Sequence, residues 1–226
     1  MILQANKLCK EYDQGEKRIF AVRNATFSME EGEFAAIVGT SGSGKSTLLS
    51  MLGGIEKPTS GEVILDGENL YEARDDRLSE IPNRQIGFVF QSYQLLPVLT
   101  LRENILIPQM IAGGGSKYYM EELCDLLGLR DRLDHLPSEA SGGQQQRAAV
   151  ARALVNKPKI LLADEPTGNL DKQSARELLD LLMKTREKRG QTILLVTHDP
   201  EIAARADTVW RMDGGVLEKE GGTARC

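Results

Sequence analysis

Nine consecutive residues, Gly39-Thr40-Ser41-Gly42-Ser43-Gly44-Lys45-Ser46-Thr47, fit the pattern G-x-x-x-x-G-K-[ST], which requires a strand before it and a helix after it. The run Glu33-Phe34-Ala35-Ala36-Ile37-Val38 in front has strand length, and Leu48, Leu49, Met51 and Leu52 behind fall at helical spacing. Glycines let successive amide N–H groups converge on phosphate oxygens at the positive end of a helix dipole. Lys45 supplies a mobile charge for β- and γ-phosphates, and the Ser46 hydroxyl is placed to ligate Mg²⁺. Without the flanking strand and helix the stretch would be a Gly/Ser-rich turn with an exposed lysine. Both flanks are present.

A second apolar strand, Lys159-Ile160-Leu161-Leu162-Ala163-Asp164-Glu165, ends in two carboxylates, and charges at the end of a buried parallel strand are costly unless employed. Asp164 is placed to hold Mg²⁺ through water, and Glu165, turned to the opposite side, to orient or deprotonate an attacking water. Gln91 closes the strand Ile86–Phe90, where its amide can accept from Mg²⁺-bound water and reach a γ-phosphate. An isolated glutamine there is otherwise a polar terminus. His198 follows the buried strand Thr192–Thr197 at the same kind of position, whereas His135 lies in a polar stretch and reads as solvated. Ser141-Gly142-Gly143-Gln144 opens a helix over Gln145–Leu154 and reads either as a second anion site or as a plain serine cap with a loose entry.

The other segments place these stations. Ile2–Leu8, Ile19–Val22 and Ala25–Met29 read as antiparallel strands, with Tyr12 in the first connection as a base-stacking ring or an ordinary strand-end tyrosine. Glu62–Gly67 is a further strand. Residues 92–157 turn helical, interrupted at Gly113-Gly114-Gly115, and Leu95–Leu99 is either core or an exposed groove for a partner helix. Gln173–Arg189 reads as an amphipathic helix with Leu178, Leu181 and Leu182 inward. Ala203 onward gives a short helix, followed by strands from Thr208 and after Gly215 and a polar tail from Gly221 that frays. The expected fold is α/β: a nucleotide-binding core with a mainly parallel sheet over 1–91 and 158–220, an N-terminal antiparallel β subdomain, and a helical insertion at 92–157, all in a single 1–226 domain.

Charge and cysteine usage narrow the setting. With net charge −5 there is no broad basic surface for nucleic acid. Cys9, Cys124 and Cys226 lack metal or disulfide spacing, which suits a reducing compartment. No apolar run approaches the roughly 20 residues that span a bilayer, so any membrane is met through another protein.

The phosphate loop, Gln91, Ser141–Gln144, Ile160–Glu165, Asn169-Leu170-Asp171 and His198, in that order, resemble the nucleotide-binding subunits of ATP-binding-cassette (ABC) transporters over nearly the whole chain. A finer resemblance, carried by Gly42–Leu49, Gly87–Gln91 and Asp164–Asp171, is to the lipoprotein-release and macrolide-efflux group, which includes antimicrobial-peptide resistance ATPases. Ala140 departs from the leucine usual there. The resemblance implies ATP and Mg²⁺ as ligands, Tyr12 as the adenine-stacking ring, and Gln91 as sensor of Mg²⁺ and γ-phosphate. It implies Glu165 as catalytic base and His198 as γ-phosphate contact. It also implies an ATP-dependent head-to-tail homodimer in which Ser141, Gly142, Gly143 and Gln144 reach the other copy's nucleotide and Asp171 couples the two sites. The partner it implies is a membrane permease with an extracytoplasmic domain, met from the cytoplasmic face. A nutrient-importer ATPase and a non-transport cassette are the rival readings.

Overall fold

The computed structural model describes residues 1–15, 17–72 and 85–220. The tail from Gly221, expected to fray, and Cys226 within it lie outside the described residues. The chain forms two compact units, Met1–Ser79 with Thr192–Cys226, and Glu80–Gln191.

In the first unit, β1 (Leu3–Gln14) pairs antiparallel with β2 (Lys17–Met29) and, on its other side, with β4 (Ser60–Leu65), and β5 (Glu68–Asn69) closes the order β2-β1-β4-β5. The three short strands expected before residue 32 are therefore two long ones. The sequence alternation breaks at Lys7 and Asn24, which adopt φ of 50° and 47°, and the register shifts between Ala5 and Leu8. Cys9 Sγ donates to Asn24 Oδ1 and accepts from Asn24 N, both at 3.3 Å, which bridges this irregularity. A bulge bends a strand without ending it. As a result Tyr12 lies inside β1, opposite Ile19, and not in a connection.

The second sheet of this unit is built on β3 (Phe34–Val38), which runs parallel to both β8 (Thr192–Thr197) and β9 (Thr208–Asp213). β10 (Val216–Lys219) pairs antiparallel with β9. Phe34, Ala35, Ala36 and Ile37 are all buried, which is why this strand reads as an unbroken apolar run. α1 (Lys45–Leu52) follows β3 and buries Leu48, Leu49, Met51 and Leu52. α6 (Pro200–Ala203) follows β8 and starts three residues before the expected Ala203. Asp199 caps it, and Pro200 occupies a first-turn position that needs no N–H.

In the second unit, β6 (Ile86–Val89) runs parallel to β7 (Ile160–Asp164). Between them come α2 (Leu101–Ile111), α3 (Lys117–Leu126) and α4 (Gly142–Leu154), and α5 (Lys172–Arg189) follows β7. The buried stripe of α5 is Leu178, Leu179, Leu182 and Thr185. Leu181, expected inward, is only half-buried, because the stripe advances by four and three residues from Leu178 and takes in Leu179 on its flank. No helix among the described residues is long and apolar enough to cross a membrane.

Candidate active site

The first unit carries the phosphate loop. Gly44 takes φ 103° and caps α1 without a side-chain hydrogen bond. The next four α-helices are each closed by a side chain, from Thr100, Ser116, Ser141 and Asp171. The leading N–H groups of a helix have no intrahelical acceptor, so α1 alone among these five leaves its positive end without a side-chain cap. A Cβ on Gly44 would stand 2.1 Å from the Ala21 carbonyl oxygen, so β2 approaches the loop too closely for any other residue.

Lys45 is 6 % exposed, and its Nζ donates to the carbonyls of Gly39 (2.9 Å) and Thr40 (2.8 Å). Its ammonium is thus fixed in the curve of the loop. Ser43 Oγ is buried with no hydrogen-bond partner among the described residues. An uncapped helix end, a buried cation and an orphaned hydroxyl are all answered by a polyanion, and a nucleotide's phosphates fit them. His198, exposed at the end of β8, lines a cavity of about 560 Å³ together with Val38, Gly39 and Thr40. Tyr12 is 39 % exposed in β1, and its hydroxyl donates to Glu56 Oε1 at 2.6 Å.

The second unit carries the carboxylates. β7 ends at half-buried Asp164, and Glu165 follows at φ 43°, a left-handed conformation uncommon outside glycine and asparagine. The Glu165 carbonyl accepts from Gly168 N at 3.0 Å, which closes the turn. A Cβ on Gly168 would lie 2.7 Å from Gln91 Nε2, so the Gln91 side chain rests directly on that glycine.

The segment around Gln91 is held by side chains. Gln146 Nε2 donates to Phe90 O at 3.4 Å and Asn169 Nδ2 to Gln91 O at 3.0 Å. Arg152 donates to Tyr93 O (2.9 Å) and Gln94 O (2.6 Å), and burial lowers the proton affinity of its guanidinium. Fully buried Asn104 accepts from Leu96 N and donates to the Leu96 and Leu99 carbonyls. On that frame Leu96 and Val98 are exposed, so Leu95–Leu99 is a surface and not core.

Ser141 caps α4 in a closed box: its hydroxyl accepts from Gln144 N (3.3 Å), and Gln144 Oε1 accepts from Ser141 N (2.9 Å). Asp171 caps α5, accepting from Gln173 N and Ser174 N at 3.0 Å and from Ser174 Oγ at 2.7 Å. The Ser174 hydroxyl first, and then the backbone amides, hold the Asp171 carboxyl below its usual range. The two caps are neighbours, since a Cβ on Gly143 would touch Ser174 Oγ at 3.4 Å.

Sequence reasoning missed Gln146, Arg152, Asn104 and Glu56, and it placed Asn169 in a motif without its bond to Gln91. Each acts on a backbone carbonyl or on another side chain far off in sequence, so no local pattern marks it. The available signal was a polar residue on the buried face of a helix, Asn104 on α2 and Gln146 on α4.

A strand running into an uncapped, glycine-entered helix with its lysine held inside the loop defines a phosphate-loop nucleotide-binding protein. The family model for ABC transporters matches residues 22–168. An ABC transporter ATP-binding protein of Thermotoga maritima is 46% identical over 220 residues, covering 96% of this chain and 94% of its own length. The lipoprotein-releasing system ATP-binding protein LolD of Idiomarina loihiensis is 41% identical, covering 98% of both chains. The macrolide export ATP-binding/permease protein MacB of Syntrophobacter fumaroxidans is 42% identical over 98% of this chain, which spans 32% of that longer protein. The dimeric, post-hydrolysis structure of the ATP-binding cassette MJ0796 bound to ADP and Pi superposes with a TM-score of 0.91 at 38% identity, covering all of both chains. The chain belongs to the ABC transporter family, among its ATP-binding, ATP-hydrolysing subunits.

Proposed function

We propose that the chain hydrolyses ATP as the motor subunit of an efflux, lipoprotein-release or mechanotransmission transporter. The LolD and MacB proteins, at 41% and 42% identity, support that group over the cassette cbiO1 of the transporter complex cbiONQ, at 29%. One observation carries the nucleotide reading: the uncapped start of α1 around a buried Lys45.

Lys45 and the loop amides bind the phosphates and orient the γ-phosphoryl group. Glu165 takes a proton from the attacking water, and His198 and Gln91 contact the γ-phosphate so that the reaction's progress is felt by β8 and by the segment after β6. Ser46, Gln91 and Asp164 are hard oxygen donors that suit Mg²⁺, which when bound neutralises charge on the phosphate oxygens. Tyr12 stacks on the adenine.

Two copies dimerise on ATP. Ser141 to Gln144 of one copy then meet the other's nucleotide, and Asp171 links the two sites. The helical segment 92–157 acts as a subdomain, and its exposed Leu96 and Val98 engage a permease with an extracytoplasmic domain at the inner face of the cell membrane. Phosphate release from ATP with Mg²⁺, together with binding of a fluorescent ATP analogue, tests the assignment. Lys45→Ala is expected to weaken binding at least about tenfold, the loss of a charged hydrogen bond, and unchanged affinity would overturn it.

A further inference from the structure

Lys10 and Tyr12 of β1 and Glu56, in the connection between α1 and β4, form a triangle of side chains that phosphate binding does not explain. Tyr12 Oη donates to Glu56 Oε1 at 2.6 Å, and Lys10 Nζ pairs with that same oxygen at 2.9 Å while standing 5.2 Å from the centroid of the Tyr12 ring. Two corners have a further bond outside the triangle. Lys10 Nζ donates to Lys57 O at 2.9 Å, and the backbone carbonyl of Glu56 accepts from Tyr71 Oη at 2.7 Å. Lys10 and Glu56 are mostly covered, with side chains 16% and 29% exposed, while Tyr12 stays 39 % exposed.

A hydroxyl bonded at its tip fixes the tilt of an aromatic ring, and an ammonium over one face occupies that face. Partial burial and the bond to Glu56 raise the proton affinity of the Tyr12 hydroxyl, against a smaller opposite pull from Thr47. It therefore remains a donor at physiological pH.

We infer that Glu56 and Lys10 are positioning residues for the nucleobase: Glu56 sets the plane of the Tyr12 ring through its hydroxyl, and Lys10 blocks one face, so that the base stacks on the other. The inference rests on the reading of Tyr12 as the stacking ring. Both residues lie outside the Gly39–Thr47 phosphate loop and touch the Tyr12 side chain, so they act on the base-dependent part of affinity and leave the phosphate-dependent part alone.

Binding of ATP and of inorganic tripolyphosphate, which has phosphates and no base, separates the two parts. Glu56→Ala is expected to raise the KM for ATP about three- to tenfold, the equivalent of one hydrogen bond. Its kcat and its tripolyphosphate affinity stay unchanged. Glu56→Gln, which keeps an acceptor for the hydroxyl, restores most of the loss, and Lys10→Met reproduces a smaller one. If Glu56→Ala weakens ATP and tripolyphosphate equally, or weakens neither, the positioning role is wrong. Tyr12→Ala guards the premise: a selective loss of ATP binding there, with none in Glu56→Ala, overturns only the positioning role. No selective loss in Tyr12→Ala overturns the stacking reading itself.

Discussion

Glu165 sits in a backbone conformation that its side chain does not favour. A non-glycine residue in the left-handed region costs about 1–3 kcal/mol when strained, and such strain gathers where function needs a group aimed in one direction. Glu165→Gln is expected to keep ATP binding and lower hydrolysis about a hundredfold or more, the usual contribution of a general base. Glu165→Asn is expected to lose hydrolysis equally while unfolding about 1 kcal/mol later than Glu165→Gln in urea, because asparagine tolerates this region. Equal midpoints for the two variants would remove strain from the account.

The carboxyl of Glu56 offers a second test at this scale. Burial would raise its pKa, but the bonds from Tyr12 and Lys10 outweigh that and hold it below the ordinary 4.5. A depressed carboxylate contributes stability in full above its unfolded value and loses it as pH falls through the folded one. Acid titration of the urea midpoint should therefore fall away below pH 4.5 more steeply in the wild type than in Glu56→Gln. Cys124, by contrast, is buried and its thiol is pushed up to about 11 by that burial, so it should resist alkylation until the chain unfolds.

Among the elements, the most constrained is the entry to α1. Gly44→Ala would place a methyl group against the Ala21 carbonyl and force φ 103° on a residue that avoids it. A loss above about 2 kcal/mol is expected, with nucleotide binding lost alongside. The segment from Phe90 to Leu96 makes a different prediction. Arg152→Met removes two hydrogen bonds from a half-buried guanidinium while keeping much of its apolar stem, and should destabilise the fold by about 2–3 kcal/mol. Hydrogen exchange of the amides around Tyr93 to Leu96 should rise more than that of α4. Exchange that rises uniformly would mean Arg152 supports the whole unit and not this segment.

Much of this was legible in the sequence because backbone periodicity and local spacing carry it. The Gly39–Thr47 loop, the strands ending at Asp164 and Thr197 and the cap at Ser141 are each encoded within about ten residues. The hairpin was not, because the bulge at Lys7, Cys9 and Asn24 looks like two strand ends when only the alternation is read. The bonds that brace Gln91 were not, because Arg152 and Asn169 lie 61 and 78 residues beyond it and bond to carbonyls, which no residue pattern pairs with its donor.

For the molecule as a whole, the proposal turns on ATP joining two copies. Glu165→Gln mixed with ATP and Mg²⁺ should elute as a dimer in gel filtration and return to monomer when nucleotide is removed. Elution as a monomer under both conditions would count against a shared site. The solved MJ0796 cassette, described as dimeric in its post-hydrolysis state with ADP and Pi, provides the comparison for that state.

The fastening of the stretch after Gln91 has an evolutionary consequence. Arg152, Asn104 and Asn169 grip peptide oxygens and one amide, and those atoms are the same whatever amino acid is present. Residues such as Leu96 and Val98 can therefore be exchanged without loosening the frame that aims Gln91. On the proposed reading, a motor built in this way can be refitted to a new permease by changing a few outward-facing side chains, while Gln91 keeps its place.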